Sequence, residues 1–236
     1  MKVLMINVMC GIRSTGRICT DLATALESEG CEVKIAYGRE SVPVEYRKYA
    51  VHIGSGLDVY SHAIKARLTD ADGLGSKLAT KKFLKWVGEF DPDIIHLHNL
   101  HGYYINVPLL FRYIIENNKK VIWTLHDMWS FTGHSGTCDM YNCEKWRTGC
   151  GNCPAYKDYP ASLRDKSLRN FIWKQNLFTR VKDMTIVTPS KWLAGLVKQS
   201  FLKDKKIEVI PNGIDTRQFR TLINDFKEFY GVQDKI

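Results

Sequence analysis

Long apolar runs are missing from this sequence. No stretch reaches the roughly 18 consecutive apolar residues that a membrane-spanning helix needs. The opening MKVLMINVMCGIRSTGR has a short apolar run, but it meets a Gly/Arg loop and no small-residue cleavage site. It reads as a first buried strand and not as a signal peptide. The expected compartment is therefore the cytoplasm. There is neither an internal repeat nor a low-complexity segment. No RNP, helix-turn-helix or zinc-finger pattern organises the basic residues, so nucleic acid is not an expected partner. No Gly-Lys-Ser/Thr follows the first strand, which excludes a Walker loop. After Gly11 the next glycine is Gly16, so the dinucleotide fingerprint also fails, and a nicotinamide enzyme is disfavoured.

The 236 residues allow one large domain, or one domain with a stub, and a sizeable core. A composition of 44% hydrophobic and 25% charged residues is that of a globular protein. The formal net charge of +9 fits a solvated basic surface, an anionic ligand or an anionic membrane face.

Strand and helix patterns alternate. Strands are expected at Lys2–Val8, Cys31–Tyr37, Tyr49–Ile53, Ile94–Leu97, Val121–Leu125, Thr185–Val187 and Ile207–Ile210. Helical spacing of Ile18, Leu22, Ala25 and Leu26 ends at Gly30. Further helices are expected at Lys77–Glu89, Val107–Ile115, Leu163–Val181 and Lys191–Gln199, with Pro108 tolerated in a first turn. The pattern predicts an α/β fold, a Rossmann-like parallel sheet with helices on both faces. Ligands of such sheets bind beyond the carboxyl ends of the strands, where this chain carries its polar residues.

The loop CGIRSTGR joins the first strand to a helix. Gly11 and Gly16 allow close backbone approach, and Arg13, Ser14, Thr15 and Arg17 surround a helix N-terminus that can face an anion. A plain tight turn is the competing reading. His96, His98 and His101 cluster in IIHLHNLHG, with His96 and His98 on one side of a strand. Metal binding, satisfied buried histidines and polar contacts to a sugar are all open, and we favour the sugar. His126 in TLHDMW follows an apolar strand, and Asp127 could orient it or cap a helix.

Four of the seven cysteines, Cys138, Cys143, Cys150 and Cys153, fall in one long loop from Met128 to about Pro160 as C-x4-C-x6-C-x2-C. Four thiolates can close a structural zinc site, the preferred reading; disulfides, free thiols, an iron–sulfur cluster or a redox dithiol are the alternatives. A loop this long must be pinned by something. Cys10, Cys19 and Cys31 are scattered and read as inert.

IPNGID followed by Phe219 resembles the interdomain linker of retaining glycosyltransferases of the GT-B fold, in the large family-four group. TPSKWLAGLV resembles the segment that precedes that linker. The loop after strand one and the HLHN and TLHD strand ends sit where that family has them. The Cys loop, with FTGH before it, is similar to a subset of bacterial polysaccharide-assembly enzymes. The match covers about Lys2 to Phe219. It implies that residues 1–215 are the N-terminal half of a GT-B fold, with the Cys-rich loop at 130–160 as an insertion. Residues 216–236 would be linker and the start of a donor domain, which in that family carries a Glu-x7-Glu pair.

The resemblance further implies a nucleotide-sugar co-substrate and a glycan or lipid-linked acceptor, with no catalytic metal. His126 and Asp127 would act at the reacting centre. Gly11, Arg13, Ser14, Thr15, Gly16 and Arg17 would approach the donor diphosphate, and His98, Asn99 and His101 would meet the acceptor. The chain alone is expected to be inactive. A separate donor-domain chain is one conceivable partner, and a non-catalytic sugar- or partner-binding module is the alternative function. Basic amphipathic helices at Lys77–Glu89 and Arg164–Lys182 suggest peripheral contact with the cytoplasmic membrane face, unless their aromatic residues face the core.

Overall fold

A computed structural model describes residues 1–216, 219 and 226–232. Seven strands form one sheet: β1 (Lys2–Ile6), β2 (Glu32–Tyr37), β3 (Ala50–His52), β4 (Ile94–Leu97), β5 (Lys120–Thr124), β6 (Met184–Thr188) and β7 (Lys206–Val209). Every pairing is parallel, in the order β3-β2-β1-β4-β5-β6-β7. The expected Rossmann-like α/β architecture is therefore present.

The central position of β1 explains its unbroken apolar sequence. Side chains alternate across a strand. Leu4 and Ile6 join Ile95, Leu97, Phe111 and Trp123 in one core, while Val3 and Met5 join Cys19, Ala23 and Ile35 in a second core on the opposite face. A strand buried on both faces has no place for polar alternation.

Helices α1 (Arg13–Ser28), α2 (Gly56–Thr69), α3 (Lys77–Phe90), α4 (Val107–Glu116), α5 (Ser167–Phe178) and α6 (Lys191–Val197) fill the crossovers. Asn106 caps α4 by accepting from the Leu109 N–H, and Pro108 lies in the first turn as expected. Trp123, Phe111 and Phe178 then pack in tilted and edge-to-face contacts with ring separations of 4.4–5.4 Å.

Helix α2 is absent from the pattern reading, although Ser55 and Asp58 form a capping box at its start. Its apolar residues Leu57, Tyr60, Ile64 and Leu68 face solvent, so no core stripe marks it. Helix α5 begins four residues later than expected. Before it, the Leu163 and Lys166 N–H groups donate to Arg67 and Asp70 instead of entering a helix. The aromatic residues of α3 and α5 lie on the core side: Phe83, Phe171 and Phe178 are buried.

The long segment after β5 is pinned by packing. Among the described residues, no group of three or more His, Cys, Asp or Glu side chains is placed to hold a metal ion. Cys138, Cys143, Cys150 and Cys153 are free thiols in neighbouring turns, an arrangement that does not by itself support the expected zinc site. Cys138 donates to the Ser135 carbonyl, and the Gly133 N–H donates to Cys150 Sγ. Burial pushes the Cys138 thiol up to about 12 and Cys153 up to about 11. Packing does the pinning. Trp129, Phe131 and Trp146 are buried, and a fully buried hydrogen bond joins His134 Nδ1 to Asp70 Oδ1 at 2.7 Å. Lys174 of α5 donates to the carbonyls of Trp129 (2.6 Å) and Thr132 (3.0 Å).

The resemblance of residues 220–235 to the start of a second domain falls mostly outside the described residues.

Candidate functional site

Parallel register aligns the carboxyl ends of β4 and β5, pairing Leu97 with Trp123. His98 follows β4 directly, and His126 stands two residues beyond β5. Their rings stack 5.4 Å apart, and His98 Nδ1 shares a 3.1 Å hydrogen bond with His126 Nε2. His96 lies on the same side as His98, with rings 4.3 Å apart, and is satisfied by Thr124 Oγ1 at 2.9 Å. Burial drives the His96 pKa down to about 4 and that of His98 well below its ordinary value, with neighbouring imidazoles adding to both. Burial also lowers the His126 pKa, against the pull of Asp127. At neutral pH these three rings are therefore uncharged hydrogen-bonding groups. The metal reading of the histidines finds no matching group among the described residues.

His101 differs. Burial opposes its protonation, but the charge of Asp127 and a 2.9 Å hydrogen bond from His101 Nε2 to Asp127 Oδ2 outweigh burial, so its pKa is raised. Asp127 is the counterpart. Burial works against its charge, yet His101 and the Trp129 N–H hold its pKa below the ordinary value. Asp127 thus orients His101, not His126. Its other oxygen accepts the Trp129 N–H at 2.8 Å, so it also shapes the turn after β5.

The β1–α1 loop is tied to this cluster by Asn7, which the pattern reading missed. Its Nδ2 donates to the Met9 carbonyl (2.8 Å) and to Thr15 Oγ1 (3.2 Å), while its Oδ1 accepts the Asn99 N–H (3.2 Å). A lone polar residue ending an apolar strand was the available signal. Gly11 has φ +76°, donates to the Gly16 carbonyl, and leaves only 2.7 Å between an added Cβ and the Tyr46 ring. A side chain there is excluded twice, by backbone conformation and by space. At the start of α1, Ile12 offers no side-chain cap and the first turn carries no acid. Arg13, Ser14 and Arg17 are exposed around it. The free N–H groups and the two arginines suit an anion.

Two more buried groups escaped notice because nothing local marks them. Among the described residues, Asp72 accepts a long 3.4 Å bond from the Gly102 N–H, and its Oδ2 has no partner. Ser130 Oγ is buried beside His98, likewise without a partner among the described residues. Of the sequence-derived candidates, His98, His101, His126 and Asp127 line one small pocket together with Asn99. The glycine loop is one hydrogen-bonded residue away. The four cysteines lie in the segment following this pocket and contribute no lining residue.

The family model described as Glycosyltransferase Family 4 matches residues 15–218. An Escherichia coli (strain K12) protein, WcaC, provisionally named a colanic acid biosynthesis glycosyl transferase, is 26% identical over 227 residues. The alignment covers 91% of this chain and 55% of WcaC, so the chain spans about half the length of that curated relative. With a parallel Rossmann-like sheet, a glycine turn after the first strand and a histidine cluster at the ends of β4 and β5, the chain belongs to glycosyltransferase family 4.

Proposed function

We propose that this chain is the acceptor-side domain of a glycosyltransferase that moves a sugar from a nucleotide-sugar donor to a glycan or lipid-linked acceptor. The observation that carries this reading is the pairing of two neutral imidazoles, His98 and His126, beside the hydrogen-bonded His101–Asp127 pair and one residue from an uncapped helix N-terminus. Neutral imidazoles suit sugar hydroxyls, and a helix N-terminus with arginines suits a diphosphate leaving group. In the complete enzyme, the acceptor hydroxyl would attack the anomeric carbon as the nucleoside diphosphate leaves, with retention of configuration. Catalysis would need the donor domain that residues 216–236 are read to begin. The name of the Escherichia coli relative, which assigns that protein to colanic acid biosynthesis, supports a glycan acceptor.

Peripheral contact with an anionic membrane face belongs to the same proposal. Its support lies on α2, with the start of α5 adding to it, and not on α3. Leu57, Tyr60, Ile64 and Leu68 form one exposed stripe, flanked by exposed Lys65 and Arg67. Leu163 and Leu168 extend it, because the Leu163 N–H bonds the Arg67 carbonyl and Arg169 bonds that of Thr69.

The test is nucleoside diphosphate release by the complete gene product from a panel of UDP- and GDP-sugars, with lipid extract as acceptor. Release that rises with acceptor supports the reading. Tight binding of glycans with no release from any donor would replace it with the binding-module reading.

A further inference from the structure

The pocket at the ends of β4 and β5 has two polar atoms that the protein leaves unsatisfied. His98 Nε2 and Ser130 Oγ are each buried, with no hydrogen-bond partner among the described residues. Both residues are nearly inaccessible, at 2% and 3% exposure. An orphaned buried polar group costs about 1–3 kcal/mol. Two beside one cavity mark a position for something that can both donate and accept. The cavity has a volume of ≈ 10 Å³. That is room for one oxygen atom and no more. His101, His126, Asp127 and Trp129 complete its walls.

We propose that His98 and Ser130 form a pocket that reads a single hydroxyl group of the sugar handled at this site. A water molecule fills the pocket when no sugar is bound. The inference rests on the transferase reading for the identity of the ligand. A hydroxyl supplies one donor and one acceptor, and neutral His98 and the Ser130 hydroxyl can complement both. The hydrogen bond between His98 Nδ1 and His126 Nε2 holds the His98 ring so that Nε2 faces this position. A sugar lacking that hydroxyl leaves the pair unpaired, which is how a buried polar site discriminates. Ser130 is thus a specificity-determining residue, and His98 carries the selection to His126.

The test has a structural and a kinetic arm. Crystals of the complete gene product are solved alone and soaked with the methyl glycosides of glucose, galactose, mannose and fucose. An ordered water bonded to His98 Nε2 and Ser130 Oγ, replaced by a ring hydroxyl of at least one glycoside, is expected. A dry pocket, or a water that no glycoside displaces, overturns the proposal. In the kinetic arm, Ser130→Ala raises KM for the best sugar nucleotide of the panel about fivefold, the weight of one neutral hydrogen bond. Ser130→Val, which fills the pocket, raises it further. Melting temperatures stay unchanged, because Ser130 Oγ bonds none of the described residues. Unchanged KM values in both variants also overturn the proposal. If the wild type turns over no sugar nucleotide, the transferase reading fails, and the glycoside crystals alone decide the pocket.

Discussion

His101 Nε2 donates a 2.9 Å hydrogen bond to Asp127 Oδ2, joining the loop after β4 to the turn after β5. The two residues are 26 positions apart, and each stabilises the charged form of the other. The raised His101 pKa contributes stability that is full below the ordinary histidine pKa and lost as pH rises through the raised value. The depressed Asp127 pKa contributes stability present above the ordinary carboxylate value and lost as pH falls through the depressed one. The pair therefore strengthens the fold most between those limits, in mildly acidic solution. Asp127→Asn should drop the His101 pKa below its ordinary value, read from the imidazole proton shifts by NMR. An unmoved His101 titration would show that the pair does not form in solution.

His126 is the group closest to the proposed reacting centre. In the complete gene product, His126→Ala should lower sugar-nucleotide turnover about a hundredfold or more, as removal of one aligned polar contact does in other sites. Losing the half-buried ring breaks one hydrogen bond and strands His98 Nδ1, so stability should fall by about 1–3 kcal/mol. Turnover within twofold of wild type would remove His126 from the mechanism.

Gly16 sits where an added Cβ would come within 3.3 Å of the Gly11 nitrogen and 3.4 Å of the Met9 carbonyl carbon. Gly16→Val should open the β1–α1 turn and weaken donor use, with Gly16→Ala intermediate. Donor KM and kcat are the readouts. Wild-type values in the valine variant would separate this loop from the diphosphate.

Lys174 is wholly buried, and burial pushes its pKa down to about 7, against the pull of Asp72 and other neighbours. Between that value and the ordinary lysine value, the unfolded chain holds a proton that the folded chain lacks, so stability should rise with pH across this range. Lys174→Met removes the slope and strands the carbonyls of Trp129 and Thr132. A loss of about 2–4 kcal/mol is expected, from two unsatisfied groups. Urea melts at about pH 7 and about pH 9 measure both effects. A wild-type slope no steeper than that of Lys174→Met would mean that Lys174 stays charged.

The stripe on α2 should carry the complete gene product onto vesicles containing phosphatidylglycerol and not onto neutral phosphatidylcholine. Binding should weaken with salt, because screening shortens the reach of Lys65 and Arg67. Leu57→Glu with Ile64→Glu should abolish flotation without changing the melting curve, since both side chains are exposed. Equal flotation of wild type and variant would place any membrane contact elsewhere.

Local pattern alone determined the sheet. An apolar run such as KVLMI has only one stable home, a strand covered on both faces, and its alternation with helical periods leaves little besides a parallel sheet. The same logic placed His98 and His126 at strand ends. The IPNGID linker made the family legible. Tertiary structure decided the partnerships. Asp127 follows His126 directly in the chain, so proximity in sequence paired them, yet the fold turns Asp127 to His101. Asn7 meets Asn99, and Asp70 meets His134, across 92 and 64 residues. The cysteine spacing pointed to zinc because a loop needs an anchor, and the fold supplies an anchor with Trp146, Phe131 and Lys174. Helix α2 escaped because a helix whose apolar residues face outward carries no core signature. Such outcomes depend on which distant surfaces meet. Only the packed chain resolves that, since burial and hydrogen-bond satisfaction are properties of the whole and not of any segment.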